Sequence, residues 1–300
     1  MRSNLLKNLK KPFRGIVKWL GRTDPELLVR IRYFARFYKP LNLDNPQTLN
    51  EKILYLALRS DTSQWTELAD KYQVREYVKS KGMESILIPL LGVWDNATEI
   101  DFTLLQGEYI LKSTNGCGDF VIVDSHKKLD ECKIRNIVNK MLHTNYGEME
   151  GGIHYMRIPH RVVAEKLLVN DSISKKYSTS LIDYKFFCFN GKPEFILTCM
   201  NRDKFGTDLM TYDLGWNAHP EYLRFSSHYR QSNVIPRPQN LERMIEVAEQ
   251  LSKGFPVVRI DLYNIAGDIY FGEITFTSLG GMMNYFTDKF LLESGRKISL

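Results

Sequence analysis

Three hundred residues, 43% hydrophobic and 25% charged, suffice for one large domain or two closely packed ones with a buried core. The longest apolar runs stay below 18 residues, so no membrane-spanning helix is expected, and the N-terminus lacks the apolar stretch and small-residue cleavage site of a secretory signal. The net charge of +6 is uneven: residues 1–39 hold 11 Lys/Arg against Asp24 and Glu26, leaving 30 basic and 33 acidic residues elsewhere, so no nucleic-acid partner is expected. The four cysteines (Cys117, Cys132, Cys188, Cys199) lack C-x-x-C spacing and read as reduced thiols of a cytoplasmic protein.

Residues 4–20 interleave apolar side chains with four lysines and an arginine. Such a segment can lie on an anionic membrane surface, although Pro12 and Gly15 interrupt a continuous helix. A helical period runs from Pro25 to Tyr38 and closes at Pro40. Thr48-Leu49-Asn50-Glu51 has the form of a capping box for a helix through Ala57. Thr66 to Lys79 is expected as one further helix, with Asp70, Lys71 and Arg75 on a solvated charged face. Ile86 to Trp94 reads as buried strand. The strand Glu108–Ser113 then delivers Lys112 to the small loop Asn115-Gly116-Cys117-Gly118, and Phe120 to Val123 forms the next strand. A lysine supplies a point charge and such a loop supplies N–H groups, a combination suited to phosphate, though without Walker A spacing. NGCG alone is more often a hairpin turn than a nucleotide loop, and Cys117 has no indicated base to make it a nucleophile.

Lys127 to His143 is an amphipathic helix, and residues 147–152 (GEMEGG) read as a flexible connection. The H-x5-H spacing of His154 and His160 does not suit zinc. Arg161 to Leu168 is a strand. Leu181 to Asn201 forms a hairpin around Asn190-Gly191. Lys185 is the one charge in its strand's interior and is expected to face an anion; Arg202 closes the second strand. Asp203 to Gln239 is a polar excursion with little period. Leu241 to Lys253 is a helix ending at Gly254.

The stretch Val257–Met283 is the most informative. Two strands are joined by a turn at 264–268. Period two places Arg259 and Asp261 on one face of the first, and Phe271, Glu273 and Thr275 on one face of the second, with Asp261 opposite Glu273. Two carboxylates converging among apolar neighbours are costly unless a cation lies between them. Magnesium suits that place because it takes oxygen ligands from one or two carboxylates and from phosphate. Ser278-Leu279-Gly280-Gly281 then offers backbone N–H groups to an anion.

Lys112 before a glycine loop, AEKLL at 164–168, DYKFFCFNGKPEFI at 183–196 and VRIDLY…YFGEITF at 258–276 occur in an order that resembles the ATP-grasp superfamily. Within it they look most like the TupA-like (teichuronopeptide-biosynthesis) family, found among polysaccharide-assembly proteins. TLNEKILYL at 48–56 and DKYQVREYV at 70–78 also fit that family. The resemblance implies an α+β ATP-grasp fold: two α/β subdomains clasping a nucleotide, with a helical N-terminal region. It divides the chain into a basic leader (1–40), a helical region (41–107), a lid subdomain (108–168) and a large subdomain with the metal hairpin (169–300).

Carried over, Lys112 grips the ATP phosphates under the loop containing Asn115, Gly116 and Gly118. Glu165, Lys166 and Leu168 line the adenine and ribose. Lys185 touches the γ-phosphate or an acyl-phosphate, Arg202 supports it, and Arg259 steadies the transferring phosphoryl group. Asp261 and Glu273 hold one or two Mg²⁺ (or Mn²⁺), with Thr275 standing where the family more often has Asn. The implied activity is an ATP-dependent carboxylate–amine ligase acting on a surface polysaccharide or its precursor. Its substrates are small-molecule or glycan carboxylates and amines, and it works at the inner face of the membrane beside other polysaccharide-assembly proteins. A glycan kinase, a glycosyltransferase or a non-catalytic nucleotide-binding scaffold are the alternatives.

Overall fold

The computed structural model describes residues 14–300; residues 1–13, and with them the first part of the basic leader, lie outside the described residues. A first helix, α1, covers 14–23. The N-terminal region continues with α2 (Pro25–Phe37), α3 (Leu49–Arg59), α4 (Ser63–Ala69) and α5 (Val74–Ser80). Local sequence explains these boundaries. Asp24 caps α2, whose first residue is Pro25, and Tyr38 ends it in the left-handed conformation just before Pro40. Thr48 and Glu51 form the reciprocal capping box of α3. The expected single helix over 66–79 is instead two, broken at Asp70–Gln73. Asp70 accepts the N–H groups of Tyr72 (2.8 Å) and Gln73 (3.3 Å) and so restarts the helix as α5.

Strand β1 (Leu90–Trp94) is followed by β2 (Tyr109–Ser113), β3 (Phe120–Val123), α6 (Glu131–Leu142), α7 (Tyr146–Glu150), α8 (Ile153–Met156) and β4 (Val162–Lys166). The four strands make an antiparallel sheet in the order β1-β4-β2-β3. Leu111 pairs with Ala164 and Val121, and these residues turn toward Ile134, Val138 and Met141 of α6. The opposite face carries Lys112, Glu165, Phe120 and Ile122. The glycine-rich 147–152 segment is helix α7 rather than a flexible connection, ended by Gly151 in the left-handed conformation.

The remaining elements are β5 (Asp183–Phe189), β6 (Lys192–Met200), β7 (Thr207–Tyr212), β8 (Tyr229–Gln231), α9 (Leu241–Ser252), β9 (Val257–Ile265), β10 (Asp268–Thr275) and α10 (Asp288–Arg296). They build a six-stranded sheet in the order β10-β9-β5-β6-β7-β8. Asn190 and Gly191 take positive φ in the expected hairpin turn. The polar excursion over 203–239 supplies two strands that the lack of period conceals: β7 and β8 pair in parallel at the sheet edge. α9 covers one face, burying Leu241, Met244, Val247 and Leu251. Each such side chain stabilises the fold by roughly 1.5–3 kcal/mol relative to exposure. Among the described residues no helix is long and apolar enough to cross a membrane.

His154 on α8 sits where α4 meets β10. Its ring contacts Trp65 edge-on at 5.5 Å, and Trp65 stacks on Phe276 at 4.5 Å. Both His154 nitrogens are buried without a hydrogen-bond partner, and burial holds its pKa down at about 3. Its neutral form therefore supports stability fully above the unfolded value near 6.5, and that support is lost as pH falls. Wild type is expected to lose about 2 kcal/mol more than His154→Phe between pH 7 and pH 5, read from urea midpoints; equal losses would contradict the buried neutral ring.

Candidate active site

The site grows from the pairing of β5, β9 and β10. The β9–β10 turn is the two-residue Ala266-Gly267, both at positive φ. A regular ladder from that turn would put Glu273 opposite Ile260, on the apolar face. A bulge between Phe271 and Glu273 shifts the register by one, so Glu273 pairs with Asp261 and Thr275 with Arg259. Phe271 does not share the face of Glu273 and Thr275, contrary to strict alternation: it pairs with Leu262 and is buried in the core. Gly272 makes the bulge possible, since a Cβ there would lie 3.0 Å from the Asp261 carbonyl oxygen. Gly272→Val is expected to lower stability by about 1–3 kcal/mol and to cost activity out of proportion, because it disturbs the presentation of Glu273; denaturation and turnover measured together check this.

β5 lies on the other side of β9 with Lys185 opposite Asp261. Period two adds Asp183 to the same face. The outcome is a compact charged network on the face away from α9. Arg259 donates from Nε to Asp261 Oδ1 (2.6 Å), and from a terminal nitrogen to Asp261 Oδ2 (2.7 Å), Glu273 Oε1 (2.8 Å) and Thr275 Oγ1 (3.1 Å). Its other nitrogen reaches Ser278 Oγ at 2.8 Å. Lys185 donates to Asp261 and lies 3.2 Å from Asp183, which Arg202 holds at 2.6 Å. The cation between the two hairpin carboxylates is thus Arg259.

Electrostatics follow this count of three acids and three bases. Burial pushes the Asp183 carboxyl up, but Lys185 and Arg202 outweigh it and hold it below the usual range. Burial also acts upward on Glu273, yet Arg259, Lys185 and Lys71 bring it to about 2. Burial and Arg259 push the Lys185 ammonium down, and Asp183 with Asp261 more than offset both. Asp183 and Glu273 are thus held ionised, whereas for Asp261 burial outweighs Arg259 and Lys185 and pushes the carboxyl up.

The four-stranded sheet contributes a second network. Lys112 Nζ donates to Glu165 Oε2 at 2.9 Å, and Arg75 of α5 reaches Glu165 Oε1 at 3.3 Å. Asp70, fully buried, pairs with Arg161 at 2.7 Å, and Lys71 Nζ reaches the Gly116 carbonyl at 2.5 Å. Asp70, Lys71 and Arg75 are therefore not a solvated helix face; they fasten the helical region to the lid. In the loop, Cys117 is exposed, and Lys71 holds the neighbouring Gly116 from the helical region.

Among the other residues singled out from sequence, Asn115 turns inward and donates to the Thr144 carbonyl at 3.1 Å. It anchors the loop. Gly116 allows the loop to fold onto Ser113, whose Oγ would lie 2.2 Å from an added Cβ, and Gly118 takes φ 77°. The Lys166 N–H is used by the Pro89 carbonyl (3.0 Å), whereas the Leu168 N–H has no partner among the described residues. Asp183 is not among the residues singled out from sequence, and Ser278 is singled out only for its backbone N–H, not for the hydroxyl that Arg259 reaches. Asp183 was within reach of the period-two rule; Ser278 depends on where the 278–281 turn folds back.

A hard dication needs oxygen donors, and Asp261, Glu273 and Thr275 supply only oxygen. Glu273 Oε2 has no hydrogen-bond partner among the described residues, and the side chain keeps 40% of its exposure. The residues fit such an ion, with both Asp261 oxygens already shared by Arg259 and Lys185.

Comparisons with known proteins give the following likenesses. A D-alanine–D-alanine ligase from Bacillus anthracis is 14% identical over 83% of this chain and 65% of its own, with a TM-score of 0.42. The same enzyme complexed with ATP is 13% identical over 84% of this chain and 68% of its own (TM-score 0.46). The ATP-grasp ligase PsnB, complexed with a minimal precursor, is 11% identical over 79% and 62% (TM-score 0.42). The chain thus spans less than two thirds of the first of these relatives. No curated protein matches. The model of the TupA-like ATPgrasp family matches residues 51–299. With that match over most of its length, the chain has the ATP-grasp fold and belongs to the TupA-like ATPgrasp family.

Proposed function

We propose that the protein is an ATP- and Mg²⁺-dependent carboxylate–amine ligase. The observation that carries this reading is the convergence of Lys185, Arg259, Asp261 and Glu273 on one sheet face beneath the lid that holds Lys112 and Glu165. Phosphoryl transfer needs positioning and charge neutralisation more than covalent help. Lys112 and Lys71 grip phosphate oxygens from the lid side, and Lys185 and Arg259 meet the developing negative charge from the large sheet. When bound, Mg²⁺ neutralises phosphate charge, held by Asp261 and Glu273 with Thr275 at the edge. A substrate carboxylate attacks the γ-phosphorus and ADP leaves. An amine then displaces phosphate from the acyl-phosphate, forming the amide and releasing a proton. The 115–118 loop excludes water that would hydrolyse the intermediate. The open lid face, with Phe120 and Ile122 half exposed, suits a flat base. The acceptor is a surface polysaccharide or its precursor.

ADP release measured against a panel of uronic acids and amino acids tests the reading: turnover should require one of each. Phosphate on a sugar points instead to a kinase, release of a nucleoside diphosphate from a sugar nucleotide to a glycosyltransferase, and binding without turnover to a scaffold. Lys112→Ala is expected to weaken nucleotide binding about 10–100-fold, measured by calorimetry; unchanged affinity removes Lys112 from the phosphate site.

A further inference from the structure

We propose that the outer side of α2 docks the protein on an anionic lipid surface. Leu27, Ile31, Phe34 and Tyr38 are 44%, 51%, 57% and 84% exposed. The spacing of Leu27, Ile31 and Phe34 puts them within about 60° of one another around the helix axis, and Tyr38 follows at the helix end. They are not the core side of the helix, which buries Leu28, Val29 and Tyr33. α1 adds two more large apolar side chains to the outside, Ile16 and Trp19, both more than half exposed. A contiguous helix stripe of this kind is unusual on a protein surface and marks an interaction site.

Charge decides the occupant. Residues 1–39 carry 11 basic side chains and two acids. Glu26 is engaged by Arg30 (2.9 Å) and Arg59 (2.8 Å), and Lys18, Arg22, Arg32 and Lys39 pair with Glu148, Glu150 and Asp288, so the positive charge of the segment rests chiefly on Arg14 and the basic residues of the sequence before it. A second copy docking on the same stripe would bring two strongly basic segments together, which is repulsive. An anionic bilayer complements the charge and takes the apolar row into its interface, with Trp19 and Tyr38 at headgroup depth. The contact extends past the basic leader, because half of it stands on the well-anchored α2.

The inward side of the same helix reaches the site. Arg36 donates to the Met282 carbonyl at 3.1 Å, next to the 278–281 turn, and Arg32 bonds the Met149 carbonyl and Glu150. Docking would therefore bring the turn beyond Glu273 toward substrates held at the lipid surface; only this last consequence rests on the ligase reading.

The test is co-sedimentation of the full chain with phosphatidylcholine vesicles with and without phosphatidylglycerol. Wild type should bind only the anionic vesicles. Ile31→Glu/Phe34→Glu should lower binding at least about tenfold, whereas Leu104→Glu, at an exposed leucine far from the stripe in sequence, should not. The double variant should keep its melting temperature and its nucleotide binding in the absence of vesicles, which separates a docking defect from misfolding or failure of the ATP site. Failure of wild type to bind anionic vesicles overturns the proposal, as does undiminished binding by the double variant. So does a dimer in sedimentation velocity that the same pair of substitutions dissociates.

Discussion

Glu273→Ala should reduce ATP turnover by about a thousandfold or more while leaving the fold intact. Its side chain keeps 40% of its exposure and fills no core volume. Without it, Arg259 still holds Asp261 through two nitrogens and Ser278 through a third. The free energy of unfolding should therefore change by no more than about 1 kcal/mol. Turnover is read as ADP release with saturating carboxylate and amine, beside a denaturation curve on the same preparation. A variant that turns over at the wild-type rate would take Glu273 out of the site and with it the metal assignment.

Asp261→Ala should behave differently, because Asp261 is 1% exposed and two buried cations depend on it. Removing it strands Lys185 and Arg259 beside each other. Breaking a buried pair in this way costs about 3–5 kcal/mol, more than an ion pair contributes when intact, since the remaining charge has lost its compensation. Lys185 retains the buried Asp183 and Arg259 retains only the more exposed Glu273, so the loss falls chiefly on Arg259. Asp261→Asn keeps the shape and part of the hydrogen bonding; it should recover some stability and no turnover. If Asp261→Ala unfolds at the wild-type urea concentration, the carboxylate is not the shared partner of the two cations. Together the two acids separate roles that look alike in sequence, one open to a ligand and one holding the sheet's charge in place.

Several of these features were legible before any tertiary contact. The capping box at Thr48–Glu51, the Asn190-Gly191 turn and the α9 stop near Gly254 are local in origin, set by a few neighbouring residues. The face shared by Arg259 and Asp261 follows from strand alternation alone. Alternation failed where one residue breaks the ladder: the bulge at Gly272 leaves Phe271 in the core and moves Glu273 onto the charged face. The helix expected through Asp70 failed for a related reason. A buried aspartate that binds two backbone N–H groups and Arg161, 91 residues away, outweighs the helical period.

What the amino-acid order determined by itself was the inventory and its local presentation: which strands carry acids and bases, which turns join them, and that the first 39 residues are basic. Tertiary structure alone decided which charges neutralise which. It set Arg259 between the hairpin carboxylates, tied Lys112 and Arg75 to Glu165, and turned Lys71 toward the glycine loop. The reason is physical. Periodicity and capping act within a few residues, whereas the strength of an ion pair depends on burial and on partners that only chain closure over tens of residues can supply.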